Sequence, residues 1–234
     1  MVALFVVATI IVFFVIDYFV QRAEKRKAAS AAVSQTASKP RFIIPKGYFF
    51  GKGHTWVELL PTGSTRIGLD DFVQKIVGAI DEIKPAAAGN SVAKGEKLFS
   101  IRQGNKSLSF ESPLSGKVVS FNDNVVNFPD VARKEPYKGG WVAVVEPTDL
   151  SSELKQLSIG NEAAQWLREE IKRFRNFITA QRLSLSGSPA TAGATLMDGG
   201  VPVDSVMEQS TQEVWQKFEK EFLGSAGSGK SSNL

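Results

Sequence analysis

What most constrains this chain is a run of short strand-like segments, each stopped by turn residues, between about His54 and Asp149. "HTWVELL" ends at Pro61-Thr62-Gly63, and "STRIGL" follows it. After them come "SVAKGEKLFSIRQ", "SLSFES", "GKVVSFND" and "GGWVAVVEP". Many short strands with regular turn signals predict a small antiparallel sandwich or barrel. One helix interrupts them. Asp70 stands where an N-cap belongs, and "DFVQKIVGAI" places Phe72, Ile76 and Ile80 on one face. "SSELKQL" and "NEAAQWLREEIKRFRNFI" then read as helices that close the body. In the second, Ala163, Trp166, Leu167, Ile171, Phe174 and Ile178 form an apolar stripe expected to pack on the body.

The chain carries further segments on either side. Residues 1–27 hold an apolar run from Met1 to Ile16, then Asp17, Tyr18, Phe19 and Val20, and then a basic cluster of Arg22, Lys25, Arg26 and Lys27. About 20 apolar residues at a rise of about 1.5 Å span a bilayer core. The basic flank follows the apolar run, which argues against a cleaved signal peptide and for a cytoplasmic flank. The expectation is a single-pass anchor in the cytoplasmic membrane with the soluble body facing the cytoplasm. Asp17 then sits at the interface beside Tyr18, or pairs with a partner helix inside the membrane. Residues 28–41 are Ala/Ser-rich and read as a tether. Residues 42–150 form the strand-rich domain, 151–182 a helical extension, and 183–204 a Gly/Pro/Ser-rich flexible linker. Residues 205–223 read as an amphipathic helix, with Val206, Val214, Trp215, Phe218 and Phe222 at helical spacing. The tail, 224–234, is Gly/Ser-rich and reads as disordered.

Composition removes several chemistries. The absence of Cys excludes disulfides, thiolate metal sites and thiol catalysis. A single His, His54, leaves little for a zinc site. It also has no evident Ser, Cys or Asp companion for base catalysis, so a packing role is expected. Glu153, Glu162, Glu169 and Glu170 lie among Lys and Arg on helices and read as a solvated face. A net charge of +4 is too mild to argue for nucleic acid. Gly224 to Ser231 satisfies GxxxxGK[ST], but only Ser232, Asn233 and Leu234 follow, too few for the helix a phosphate loop needs. The chain is therefore read as no enzyme, with no catalytic residue and no metal.

The region from His54 to Asp149 resembles the glycine cleavage system H protein family. The resemblance rests on "GHTWVEL", "RIGLDDFVQKIVG", "VAKGEKLFSI", "SPLSGKVVSFND" and "EPYKGGWVAVVEP", in family order and near family spacing. It implies an α+β, mainly β fold. This is the flattened barrel-sandwich hybrid of lipoyl and biotinyl carriers, here with an N-terminal transmembrane helix and flanking C-terminal helices. It also implies a hairpin that presents a lipoyl lysine. In "FSIRQGNKSLSFESPLSG", Ile101 leads into Gly104-Asn105, and Leu108 and Phe110 lead out. Ungapped alignment places Asn105 at the modified position, Arg102 at the acidic residue three before it, and Ser109 where an Asp is frequent. Asn has no amine to acylate, and using Lys106 would require a one-residue slip that reverses the strand's faces.

Two expectations follow. The first is a non-catalytic, non-lipoylated, membrane-tethered interaction or scaffold subunit of a membrane-associated redox or multi-enzyme complex, with no cofactor. Its contacts would be protein partners, with Trp215, Phe218 and Phe222 as partner-binding anchors. Lys106 would then be an ordinary solvated side chain. The second is a lipoyl carrier of glycine cleavage or acyl transfer, modified with lipoate at Lys106.

Overall fold

The computed structural model describes residues 42–86, 89–186, 197–198, 201–202 and 204–224. The expected anchor, the tether up to Arg41 and the tail beyond Gly224 lie outside them. Among the described residues no helix is long and apolar enough to cross a membrane.

The strands are β1 Tyr48–Phe50, β2 Thr55–Leu59, β3 Thr65–Leu69, β4 Glu82–Pro85, β5 Ser91–Val92, β6 Lys97–Gln103, β7 Lys106–Glu111, β8 Gly116–Phe121, β9 Trp141–Pro147 and β10 Ser158–Ile159. They form two open antiparallel sheets, ordered β10-β1-β2-β3-β9-β8-β5 and β4-β6-β7. One core draws on both. Val57, Ile67 and Val145 come from the larger sheet, and Phe99, Leu108 and Phe110 from the smaller. Phe99 and Phe110 stack across β6 and β7 at 5.3 Å. The family expectation of mainly strands with flanking helices agrees with this architecture, although the sheets are open rather than closed on themselves.

Local chemistry explains the main boundaries. Helix α1, Asp71–Val77, starts where the Asp70 side chain accepts from Val73 N–H, and stops at Gly78, whose φ of 81° a side chain would resist. The expected strand "SVAKGEKLFSIRQ" is split, because Gly95 at φ 82° turns the chain between β5 and β6. Two short helices, α2 Asp123–Asn127 and α3 Asp130–Lys134, were not expected from apolar periodicity. Asn122 caps the first through Asn124 N–H. A further helix, α4 Leu150–Glu153, and a 3₁₀ turn account for "SSELKQL".

Helix α5, Gly160–Ser186, overruns the expected extension by four residues, from 182 to 186. Its stripe packs inward as expected, with Ala163, Leu167, Phe174 and Ile178 buried. The expected linker contains a short ladder, Met197–Asp198 with Val201–Pro202.

The C-terminal segment departs most from expectation. Residues 204–210 are turns, and helix α6 runs only over Gln212–Phe218, capped by Thr211, before a π turn over Glu219–Leu223. Trp215, Phe218 and Phe222, expected as partner anchors, are at most 1 % exposed. Phe218 and Phe222 pack on Phe174 and Phe177 of α5, with ring centroids 5.4–6.3 Å apart. The apolar stripe was read correctly, but its own body covers it. A surface already joined to the helix is met with less loss of freedom than a separate molecule's.

Candidate functional site: the β6–β7 hairpin tip

β6 and β7 pair out to Gln103↔Lys106, which leaves Gly104-Asn105 as a two-residue turn. Gly104 has φ 59°, and Asn105 is exposed. The tip is tied down on its β4 side. Gly104 N–H donates to Asp81 Oδ2 at 2.6 Å, and Gln103 Nε2 donates to Ala79 O at 2.5 Å. Arg102 Nε pairs with Glu82 Oε2 at 2.7 Å, while its Nη1 donates to Gly104 O. The register is therefore fixed with Asn105 in the turn and Lys106 as the first residue of β7.

Lys106 is not the free side chain that the sequence suggested. Its Nζ donates to Glu208 O at 2.6 Å and lies 4.9 Å from the centre of the Trp215 ring. Burial under this cover lowers its pKa below the usual lysine value, with the Glu208 carboxylate opposing the shift. On the same strand, Ser109 N–H donates to Glu219 Oε1 at 2.7 Å. The C-terminal segment thus occupies the outer edge of β7 beside the tip.

His54 has the packing role expected of it, but it does have an acidic companion. Its Nδ1 lies 2.7 Å from Asp70 Oδ2, sixteen residues away in sequence, and the pair is buried. The ring stacks on Phe72 at 4.8 Å and lies 5.1 Å from Trp166. His54 takes φ 60°, in the left-handed region, and Nε2 has no hydrogen-bond partner among the described residues. Nothing in this arrangement brings a nucleophile to the imidazole.

Two of the four glutamates expected on a solvated face are buried. Glu153 accepts from Ser115 N–H at 2.6 Å and from Ser115 Oγ at 2.7 Å, which fixes the Ser-Pro-Leu-Ser-Gly corner after β7. Glu170 is 5 % exposed and pairs with Arg173 at 3.1 Å. Burial raises its pKa, opposed chiefly by His54 and Arg173. Glu162 and Glu169 are exposed, as expected. Glutamates at these positions look alike in sequence, and only the helix packing separates them. Among the described residues no group of three or more His, Cys, Asp or Glu could hold a metal ion.

Comparison with known proteins bears on the strand-rich body and the start of α5. The family described as "Glycine cleavage H-protein" matches residues 48–170. A glycine cleavage system H protein of Coprothermobacter proteolyticus is 34% identical over 126 residues, covering 54% of this chain and 98% of the relative. A probable glycine cleavage system H protein of Thermococcus kodakarensis is 30% identical over 127 residues, covering 54% and 94%. A crystal structure of a glycine cleavage system H protein from Mycobacterium marinum shares 22% identity over 54% of this chain and 98% of its own, with a TM-score of 0.45. With a family match over more than half of its length, and nearly whole relatives aligned at 30% identity or above, the chain belongs to the glycine cleavage H-protein family.

Proposed function

We propose that the chain works as a carrier of the H-protein type, presenting the β6–β7 hairpin to partner proteins, with Lys106 as the acceptor of a lipoyl group. The names of the relatives support the carrier role, and they favour it over a scaffold without a cofactor. The observation that carries the assignment to a residue is that Lys106 is the amine adjoining the hairpin turn, one position after Asn105, so that the acyl group hangs from the first residue of β7 in the register observed and no slip of the strand is needed. Lipoylation forms an amide on a lysine amine, and Asn105 cannot supply one. The role is that of a carried substrate between other enzymes and needs no catalytic group on this chain.

A second reading rests on Asn105 itself. In it the family fold docks on its partners without an acyl group, and Lys106 serves only to hold the C-terminal segment. Co-expression with a lipoate ligase and lipoate, followed by intact mass and peptide mapping, decides between them. A lipoyl group on the Lys106 peptide is the expected result. A chain that stays unmodified both as wild type and as the Thr211→Ala, Glu219→Gln double variant, with a co-expressed H protein from another source fully modified, would overturn the carrier reading and leave the second.

We further propose that residues 1–27 anchor the protein in the cytoplasmic membrane with the body on the cytoplasmic side. The apolar run and the basic flank after it support this. The full chain should sediment with membranes and resist alkaline carbonate, whereas residues 28–234 should remain in the soluble fraction and melt as one body. A full chain that carbonate strips from the membrane would rule the anchor out.

A further inference from the structure

The cover over Lys106 has a construction of its own. Residues 204–223 are held by backbone bonds at one end, where Ser205 N–H donates to Lys75 O at 2.7 Å and Met207 N–H to Ile76 O at 2.9 Å. Ala79 N–H donates to the Glu208 carboxylate at 2.8 Å. The middle is closed on itself by Trp215 Nε1, which donates to Met207 O at 2.9 Å. The indole so placed forms the floor under the Lys106 ammonium, and Glu208 O accepts a hydrogen bond from it. The far end is held by Glu219 on Ser109 N–H and by Arg173 Nη2, which donates to Glu221 O at 2.6 Å. The segment therefore meets the body along α1, β7 and α5, and its polar ties to β7 are made to the Lys106 side chain and, at the strand's outer edge, to Ser109 N–H.

We propose that residues 204–223 are a hinged cover over the carrier hairpin, and that Lys106 can be acylated only when this cover lifts. The proposal rests on the carrier reading of the hairpin and adds a control on it. The physical grounds are threefold. The cover is the last described element, and its backbone-to-backbone bonds to the body, among the described residues, are those of Ser205 and Met207 to α1; a segment held mainly through side chains opens at lower free energy than strands paired along their length. Its helix has seven residues, too few to persist in water without the surface beneath it. Its removal frees the amine and the outer edge of β7 together, because β7 is an edge strand of its sheet and Ser109 N–H has its partner in the cover. A protein that reads this edge gains the strand and a released lysine in one opening, whereas the closed segment occupies the edge and keeps the half-buried amine engaged with Glu208 O and the Trp215 ring.

The test measures amine access without any enzyme, so it stands apart from whether a ligase accepts the site. The full chain is treated with limiting N-hydroxysulfosuccinimide acetate, and acetylation is followed peptide by peptide. Lys106 should react about tenfold or more slowly than Lys117, which is exposed on β8. Thr211→Ala removes the cap of α6, whose hydroxyl accepts from Val214 N–H. Combined with Glu219→Gln it should bring Lys106 to within about threefold of Lys117. Hydrogen exchange in the same samples should quicken in 205–223 while β2 and β3 stay protected. Wild-type Lys106 reacting as fast as Lys117 would overturn the cover. So would a variant whose 205–223 amides exchange faster while Lys106 remains slow. If the cover behaves as proposed but the opened variant is still not lipoylated by a ligase, the carrier reading fails and the hinged cover stands.

Discussion

Replacing Phe174 by alanine should lower the stability of the body by about 3–5 kcal/mol, the range for loss of a buried aromatic. Its ring is fully buried and joins three elements. It meets Phe72 of α1 at 5.5 Å, Phe218 of α6 at 5.7 Å and Phe222 of the π turn at 5.9 Å, the first two edge-on at 90° and 86°. Edge-to-face pairs add to the burial term itself. The gap is lined by rings from three separate elements, so no single shift closes it. Urea unfolding followed by far-UV circular dichroism gives the number. Phe174→Leu, which keeps most of the volume, should lose about 1.5 kcal/mol or less. A loss below about 1 kcal/mol for the alanine variant would mean that α5 and the C-terminal segment are not packed around this ring.

Asp70→Ala should cost about 2–4 kcal/mol, because one carboxylate satisfies two buried donors. Oδ1 accepts from Val73 N–H at 2.9 Å and starts α1, while Oδ2 faces His54 Nδ1 at 2.7 Å. Alanine leaves the first turn of α1 uncapped and the His54 Nδ1–H without an acceptor in a site closed by Phe72 and Trp166. Asp70→Asn keeps one oxygen for Val73, and its amide can meet the other imidazole tautomer, so it should lose less than half as much. His54→Phe combined with Asp70→Ala separates the effects. If the two losses add independently, the pair is no pair, and the coupling drawn from this geometry is wrong.

Much of the H-protein framework is legible in local sequence. Pro61-Thr62-Gly63 and Gly104-Asn105 announce their turns, and Asp70 before an apolar-periodic run announces a capped helix. Such signals act through neighbours within a few residues, so no tertiary knowledge is needed. His54 and Asp70 are different, since their pairing exists only because β2 and β3 lie side by side. Glu153 is buried by Ser115, thirty-eight residues before it, and no spacing rule connects them. The stripe of Trp215, Phe218 and Phe222 shows the same limit from the other side. Periodicity reports that an apolar face must be covered, but a partner's groove and the chain's own α5 satisfy it equally. Lys106 read as a solvated side chain for that reason, because its cover comes from a hundred residues further on.

The order of the strands also bears on how quickly the parts assemble. The sheet that carries the hairpin is built from neighbours in sequence, with β6 and β7 joined by a two-residue turn and β4 close before them. The larger sheet has at its centre the pairing of β3 with β9, where Thr65 lies opposite Val145. Loops that long must close before that contact stabilises anything, whereas the hairpin closes almost at once. During synthesis the whole hairpin emerges before β9 has been made, so the smaller sheet can form while the larger one still lacks β9, the strand that joins β3 to β8. Residues 204–223 follow later than either sheet. For an interval set by translation, a newly made chain therefore holds a formed hairpin whose outer edge and Lys106 are without the segment that later lies against them.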